Sequence, residues 1–174
     1  ATCNKKNIPS GAGVRVLDIG AGANLVYPLI GHAEYGWSFL GVDIDEAALA
    51  NAQAIIAKNP ELAGEIELRH QTVWENIYTG LLRSGEVFDL SICNPPFHNS
   101  PDDVHAVSQR KWNNLNKPGA KRGAAEPRLN FGGGGAELWC NGGERAFVKL
   151  MIEQSCNIPK RVMWFTSLLS QGDN

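Results

Sequence analysis

The residues best suited to chemistry are four consecutive ones, Asn94, Pro95, Pro96 and Phe97, which follow a strand-like run at 87–93. Prolines donate no backbone hydrogen bond and fix φ, and the residue before each proline is held extended. The Asn94 side-chain oxygen and the Pro95 carbonyl can therefore serve as two fixed acceptors for a planar NH2 group. Phe97 adds an aromatic face for a flat base. An ordinary proline turn is the alternative that this tetrapeptide alone leaves open.

A glycine-rich turn and a carboxylate form the second group of residues suited to chemistry. Asp18 lies near the end of the first strand-like run, Gly20 and Gly22 follow that run, and Asp43 ends the next run, 23 residues after Gly20. The glycines let the backbone approach a ligand, and the carboxylate can accept hydrogen bonds from ribose hydroxyls. Leu25 occupies the position of the third glycine of the dinucleotide fingerprint, which favours S-adenosylmethionine over a nicotinamide dinucleotide. A simple tight turn, with Asp43 capping the next helix, is the alternative.

Alternating strands and helices must position these two groups. The residue patterns predict strands at 14–19, 38–43, 66–71, 87–93 and 161–169, and helices at 25–32, 45–58, 73–83 and 144–155. Strands that alternate with helices indicate a Rossmann-like α/β fold, with a mostly parallel sheet and helices on both faces. Because parallel strands place their carboxyl ends at one edge, both groups are expected at that edge.

The segment 98–143 has neither strand nor helix periodicity and is rich in glycine, asparagine and proline. Between Val104 and Phe131 it carries six basic residues against Glu126 alone, a net charge of +5. The basic residues, which we predict to bind RNA, are Arg110, Lys111, Lys117, Lys121, Arg122 and Arg128. A flexible basic loop beside a catalytic strand end suits single-stranded or looped RNA. A solvated loop without a partner is the alternative.

Composition limits the class of protein. With 174 residues, 43% of them hydrophobic and 20% charged, the chain suits one globular domain. Its net charge of −2 requires any nucleic-acid surface to be local. The four cysteines and four histidines lack metal-ligand spacing, so we expect no metal, no disulfide framework and a cytoplasmic setting. We find no signal peptide and no apolar run of membrane-spanning length, and we expect a monomer without a membrane partner.

Six stretches carry a resemblance to a known family. They are LDIGAGAN (17–24), YPLIG (27–31), GVDID (41–45), CNPPFH (93–98), NFGGGGAELWCNGGE (130–144) and MWFTSLLS (163–170). From about Val14 onward the chain resembles class I methyltransferases, and most closely the RlmF-like 23S ribosomal RNA adenine-N6 methyltransferases. The last three stretches are the most specific, because many methyltransferases share the others.

The resemblance implies S-adenosylmethionine as cofactor and 23S ribosomal RNA as partner. It implies that Gly20, Asp43, Thr72 and Asn94 contact the methyl donor or border its pocket. The family fold continues with further strands and is preceded by another segment. We therefore expect residues 1–174 to be a single, partial methyltransferase domain with truncated C-terminal strands and a substrate-binding insert at 98–143.

A methyltransferase of this type must activate a weak nucleophile, since the lone pair of the adenine amine is delocalised into the ring. Acceptors at Asn94 and Pro95 can draw on both amine hydrogens and aim the lone pair at the donor methyl. Two alternatives stay open: a glutamine-N5 protein methyltransferase, because a side-chain amide is also a planar NH2 group, and a non-catalytic module that binds S-adenosylmethionine or RNA. Phe97 in place of Tyr, together with the basic insert, favours RNA.

Overall fold

The computed structural model describes residues 8–96, 140 and 142–170, and the strands among them form one parallel sheet. The strands are β1 (Arg15–Ile19), β2 (Ser38–Asp43), β3 (Ile66–His70), β4 (Phe88–Cys93) and β5 (Val162–Phe165). Their order in the sheet is β3-β2-β1-β4-β5, and each neighbouring pair is parallel. The predicted parallel α/β sheet is therefore confirmed.

The strand order reverses between β1 and β4. From β1 the chain steps outward to β2 and β3, then returns to the other side of β1 and continues to β5. In register, Asp18 of β1 faces Gly41 of β2 on one side and Ile92 of β4 on the other. Open α/β sheets bind ligands in the crevice outside the carboxyl ends of the strands at such a switch point. The ends of β1 and β4 therefore mark the edge at which a site is expected.

Helices cover the sheet on both faces. Among the described residues they are α1 (Val26–Tyr35), α2 (Glu46–Lys58) and α3 (Gly143–Ser155), with a short 3₁₀ turn at Pro60–Leu62. Val16 of β1 packs in one apolar cluster with Ala52 of α2, whereas Leu17 packs in the other with Met151 of α3. Because successive strand residues point to opposite faces, α3 lies on the face opposite α2. The predicted placement of helices on both faces is confirmed.

Helix α2 forms where its sequence predicts a helix. Its alanine-rich stretch favours helix, and Glu46 and Lys58 suit the two ends of the helix dipole. Asp45 caps the helix, since its carboxylate accepts the backbone N–H of Ala47 and Ala48 at 2.8 and 3.3 Å. This cap fixes the direction in which the chain leaves the end of β2.

The helix predicted at 73–83 is wrong, because this stretch forms turns. Ile77, Tyr78 and Leu81 are buried, at a spacing that a helix would also produce. However, the backbone N–H groups of Tyr78 and Thr79 donate to the side-chain oxygen of Gln154 on α3, at 2.8 and 3.2 Å. A partner distant in sequence therefore takes the hydrogen bonds that a helix would have used.

The last strand is shorter than the predicted range of 161–169, but its hydrogen bonds extend further. The N–H of Thr166 donates to the carbonyl of Ser91 at 2.8 Å, and that of Leu168 donates to Cys93 at 2.9 Å. The chain after β5 therefore still runs alongside the carboxyl end of β4.

The described residues include three cysteines and show neither a membrane-spanning helix nor a cluster of metal ligands. Cys93, Cys140 and Cys156 are free thiols. In residues 8–96, 140 and 142–170, no helix has the length and apolar character needed to cross a membrane. Over those same ranges, we find no group of three His, Cys, Asp or Glu side chains that could hold a metal ion.

Candidate functional site

The loop after β1 is fastened to the end of β2. Gly20 and Gly22 have left-handed backbones, with φ of 74° and 64°, which glycine adopts without strain. The N–H groups of Gly20 and Ala21 both donate to the carbonyl of Val42, at 2.9 and 3.0 Å. These bonds hold the predicted glycine turn directly above the boundary between β1 and β2.

Asp43 joins this loop to the next helix through its carboxylate. The residue is only 5% exposed. One carboxylate oxygen accepts the N–H of Gly22 at 2.8 Å, and the other accepts the N–H of Asp45 at 2.9 Å. Each oxygen retains a lone pair for a further donor. Because Asp45 itself caps α2, the carboxylate of Asp43 organises the glycine loop rather than the helix.

Asp18, near the end of β1, differs from Asp43 in its hydrogen bonding. It is fully buried, and neither of its carboxyl oxygens has a hydrogen-bond partner in the described part of the chain. Burial, and to a smaller extent the negative charge of Asp43, raise the pKa of Asp18 to about 8. A carboxyl group with this pKa is mostly protonated at about pH 7.

Leu25, in the position of the missing third glycine, also has a left-handed backbone, with φ of 50°. Such a conformation costs a non-glycine residue roughly 1–2 kcal/mol. The Leu25 side chain is fully buried in the cluster that contains Val16 and Ile56. Burying a leucine contributes about 1.5–3 kcal/mol, which offsets that cost. The departure from the dinucleotide fingerprint is therefore built into the core.

The turn after β4 exposes Asn94 and buries Pro95, which is less than 2% exposed. The Asn94 side chain makes no hydrogen bond to any other residue that the structure describes. A Cβ atom placed on Gly20 would lie 4.0 Å from the backbone oxygen of Asn94. The structure thus brings the predicted residues of the β1 loop and of the β4 turn together at the switch point.

The other predicted site residues lie at the rim or outside the described residues. Thr72 is exposed and follows Gln71, whose N–H donates to the carbonyl of Asp43 at 2.9 Å, so Thr72 lies at the same sheet edge. Pro96 is half-buried and completes the turn. Phe97 and nearly all of the insert at 98–143 are outside the described residues. So are the six predicted RNA-binding residues, Arg110, Lys111, Lys117, Lys121, Arg122 and Arg128.

Tyr27 of α1 is a site residue that the sequence analysis missed. Burial, then the charges of Asp18 and Cys93, raise the pKa of Tyr27. Burial, followed by the charge of Asp18, likewise raises the pKa of the Cys93 thiol. Tyr27 lies in the YPLIG stretch, but only the folded structure shows that the charge of Asp18 acts on it.

The three most specific sequence stretches meet around the end of β4. Cys93 accepts the N–H of Leu168, which joins the stretch at 93–98 to that at 163–170. Glu144, at the start of α3, accepts hydrogen bonds from the N–H and the hydroxyl of Ser170, both at 2.5 Å. Below the turn, the buried hydroxyls of Tyr78 and Ser91 lie 2.9 Å apart. The stretches that set this family apart therefore support the turn that carries Asn94.

Curated relatives match the chain along its whole length. It is 93% identical over 174 residues to the "Ribosomal RNA large subunit methyltransferase F" of Dechloromonas aromatica (strain RCB), of which it covers 51%. It is 56% identical over 174 residues to the protein of the same name from Ectopseudomonas mendocina (strain ymp), of which it covers 52%. The chain thus spans about half the length of these relatives.

Solved structures and a family model agree with these relatives. The hMettl16 catalytic domain in complex with MAT2A 3'UTR hairpin 1 matches with a TM-score of 0.66 and 28% identity, over 91% of this chain and 50% of that one. The model of the Methyltransf_10 family, whose description is RNA methyltransferase, matches residues 2–174. As the sequence resemblance predicted, the chain belongs to this family of RNA methyltransferases.

Proposed function

We propose that the complete protein uses S-adenosylmethionine to methylate the N6 amine of a specific adenosine in large-subunit (23S) ribosomal RNA. The observation that carries the proposal is Asn94, which is exposed and has no partner among the described residues, and which the buried Pro95 fixes beside the glycine turn at Gly20. Membership of an RNA methyltransferase family supports methyl transfer to RNA. The names of the 93% and 56% identical relatives support large-subunit ribosomal RNA as the substrate.

The methyl donor is assigned to the donor side of the site, which comprises Asp18, Gly20, Gly22 and Asp43. The left-handed glycines leave the backbone open to close approach. The carboxylate of Asp43 is already oriented by two N–H groups and keeps lone pairs for ribose hydroxyls. The donor carries positive sulfonium and ammonium groups, which suit an acidic site. Thr72 borders this pocket at the sheet edge.

The target amine is assigned to the acceptor turn, which comprises Asn94, Pro95 and Pro96. The Asn94 side-chain oxygen and the Pro95 carbonyl accept the two amine hydrogens, so that the nitrogen lone pair points at the donor methyl. As the new N–C bond forms, the S–C bond of the sulfonium breaks and its electron pair stays on sulfur. The extra proton then leaves the nitrogen for water. Fixed acceptors stabilise the positive charge that develops on the nitrogen.

RNA is assigned to the residues that follow this turn. Phe97 stacks on the target adenine once that base has left its helix or stack. The insert at 98–143 supplies the positive charge for phosphate contacts. The residues proposed for these contacts are Arg110, Lys111, Lys117, Lys121, Arg122 and Arg128. In this proposal, residues 1–174 act as part of one methyltransferase domain.

The test is transfer of a tritiated methyl group to three samples: deproteinised 23S ribosomal RNA, a release factor, and buffer alone. The proposal predicts label in the RNA only, released as N6-methyladenosine after nuclease digestion. Label in the release factor supports a glutamine-N5 methyltransferase. Donor or RNA binding without transfer to any sample supports a non-catalytic module.

A further inference from the structure

We propose that Asp18 is a proton switch in the donor pocket, which is neutral in the free protein and releases its proton when the positively charged methyl donor binds. The inference rests on the proposed function, because the charge of the donor drives the release. It adds a property that the assignment of the pocket does not contain, namely that donor affinity depends on pH.

The two carboxyl groups at the ends of the adjacent strands β1 and β2 differ in their hydrogen bonding. Asp43 has a backbone N–H on each oxygen, supplied by Gly22 and Asp45. Asp18 is fully buried, and both of its oxygens lack a partner among the described residues. An ionised carboxylate without water or hydrogen bonds is strongly unfavourable, whereas a neutral carboxyl group is tolerated. The geometry alone therefore favours the protonated form of Asp18 in the free protein.

Among the described residues, the titratable groups that interact electrostatically with Asp18 offer no positive charge. They are Asp43 at the end of β2, Tyr27 on α1 and Cys93 on β4. Within residues 8–96, 140 and 142–170, no ion pair involves either aspartate. Burial and the charge of Asp43 raise the pKa of Asp18 to about 8, which agrees with the geometry. No described residue supplies a positive charge to this cluster, whereas a positively charged ligand can.

The methyl donor supplies that charge through its sulfonium and its ammonium group. A positive charge beside a carboxyl group lowers its pKa by about 1–3. Starting from about 8, this shift leaves Asp18 mostly ionised in the complex at neutral pH. Each donor molecule that binds then drives one proton from the Asp18 carboxyl group to the buffer, and the carboxylate that remains balances one charge of the donor.

The linkage predicts how donor affinity varies with pH. Below the pKa of the free protein, the proton must be removed before the favourable ion pair forms. The association constant of S-adenosylmethionine should therefore fall by up to about tenfold per pH unit as the pH drops from about 8 to the pKa of the complex, about 1–3 units lower, and should level off below it. An Asp18→Asn variant has no proton to release at this position. Its affinity for the donor should therefore be weaker and should no longer depend on pH in this way.

Calorimetric titration of the protein with S-adenosylmethionine, in phosphate and in Tris buffer at the same neutral pH, counts the protons. We expect about one proton released per donor in the unmodified protein and close to none in Asp18→Asn. The matched control is Asp89→Asn, at the opposite end of β4, where the carboxylate accepts the N–H of Arg15 at 2.9 Å. It should release about as many protons as the unmodified protein.

The possible results distinguish a failure of the proton switch from a failure of the proposed function. Equal heats in the two buffers for the unmodified protein, with normal donor binding, would overturn the proton switch and leave the proposed function standing. Undiminished proton release from a folded Asp18→Asn variant would also overturn it, because the proton would then come from another group. Absence of donor binding at every pH would overturn the proposed function together with the switch. If Asp18→Asn fails to fold, the pH series on the unmodified protein decides the question alone.

Discussion

On the donor side of the site most polar groups are hydrogen-bonded within the protein, whereas at the acceptor turn the Asn94 side chain is exposed. Gly22 donates to Asp43 at 2.8 Å, and Gly20 donates to Val42 at 2.9 Å. At the turn, Pro95 is buried but the Asn94 side chain has no partner in the described part of the chain. Changes on the donor side should therefore alter folding and binding together, whereas a change at Asn94 should alter the reaction alone.

The largest effect is expected from Asn94→Ala. Because the prolines fix the turn, the protein should keep its melting temperature. The rate at saturating donor and RNA should fall by on the order of 10²-fold, as when a single preorganised polar group is removed elsewhere. A single-turnover methyl-transfer assay paired with thermal melting measures both quantities.

The matched control is Asn157→Ala, an exposed asparagine in the turn after α3. It should leave the rate and the melting temperature unchanged. If Asn94→Ala unfolds the protein while its folded fraction methylates at the normal rate, Asn94 is only a turn residue.

A smaller effect is expected from Asp43→Ala on the donor side. The variant loses an acceptor for the donor and leaves the N–H groups of Gly22 and Asp45 unpaired. Donor affinity should weaken by about 1–3 kcal/mol, as for other buried groups left unpaired, and the melting temperature should fall as well. Calorimetry and thermal melting test these two outcomes.

Asp45→Ala separates the two roles of Asp43. It removes the cap of α2, a loss of about 0.5–2 kcal/mol in stability, but keeps the carboxylate of Asp43. We expect a comparable loss of stability with a much smaller loss of donor affinity. If Asp43→Ala and Asp45→Ala lost equal donor affinity, the loss in Asp43→Ala would come from weakened folding and not from a lost contact with the donor.

Much of the sheet could be predicted because most strands are short, mainly apolar runs, and β3 alternates apolar and polar residues. The strand at 38–43 was predicted with the bounds that the structure gives, and α2 was predicted to within one residue. The predicted helix at 73–83 failed because Gln154, far away in sequence, binds the backbone there. Sequence spacing also does not reveal which side chains lack partners, as Asp18 does.

The site itself was predictable in outline because parallel strands end at one edge. Spacing placed Gly22 and Asp43 in one site, and the structure joins them by a hydrogen bond. It did not predict that each oxygen of Asp43 would already accept an N–H group, or that the charge of Asp18 would act on Tyr27. These features depend on how α1 and α2 leave their strands, which is set by packing.

The buried carboxyl group of Asp18 should make folding stability depend on pH. Its pKa is raised from 3.8 to about 8 in the folded protein, so the folded state holds the proton across that window. Stability therefore falls as pH rises from about 4 to about 8. Asp18→Asn should melt on the order of 5 °C higher than the unmodified protein at about pH 8, and at a similar temperature near pH 4. A lower melting temperature at pH 8 would contradict this account of Asp18.

The smallest effect on the site is expected from Glu86→Gln, because this residue lies away from both parts of the site. Unlike Asp18→Asn, this variant should lower the stability of the fold. The Arg69 guanidinium lies 2.9 Å from Glu86, and its hydrogen bonds lower the pKa of that carboxyl from 4.5 to about 2. The contribution of this pair is present above the unfolded pKa and is lost as pH falls towards 2. The variant should lose about 1–2 kcal/mol of stability at neutral pH, nothing near pH 2, and no donor affinity. A loss of donor affinity in this variant would mean that donor binding depends on the stability of the whole sheet and not only on the residues of the site.

The most direct test of the division between donor side and acceptor turn is to measure donor affinity and single-turnover methyl-transfer rate on both variants, Asp43→Ala and Asn94→Ala. We expect the two variants to differ in opposite ways in donor affinity and in rate. Asp43→Ala should lose donor affinity but recover much of its rate at saturating donor, whereas Asn94→Ala should keep its affinity and lose its rate at any donor concentration. If Asn94→Ala loses affinity as severely as Asp43→Ala and regains its rate at saturating donor, Asn94 belongs to the donor pocket and the account is contradicted.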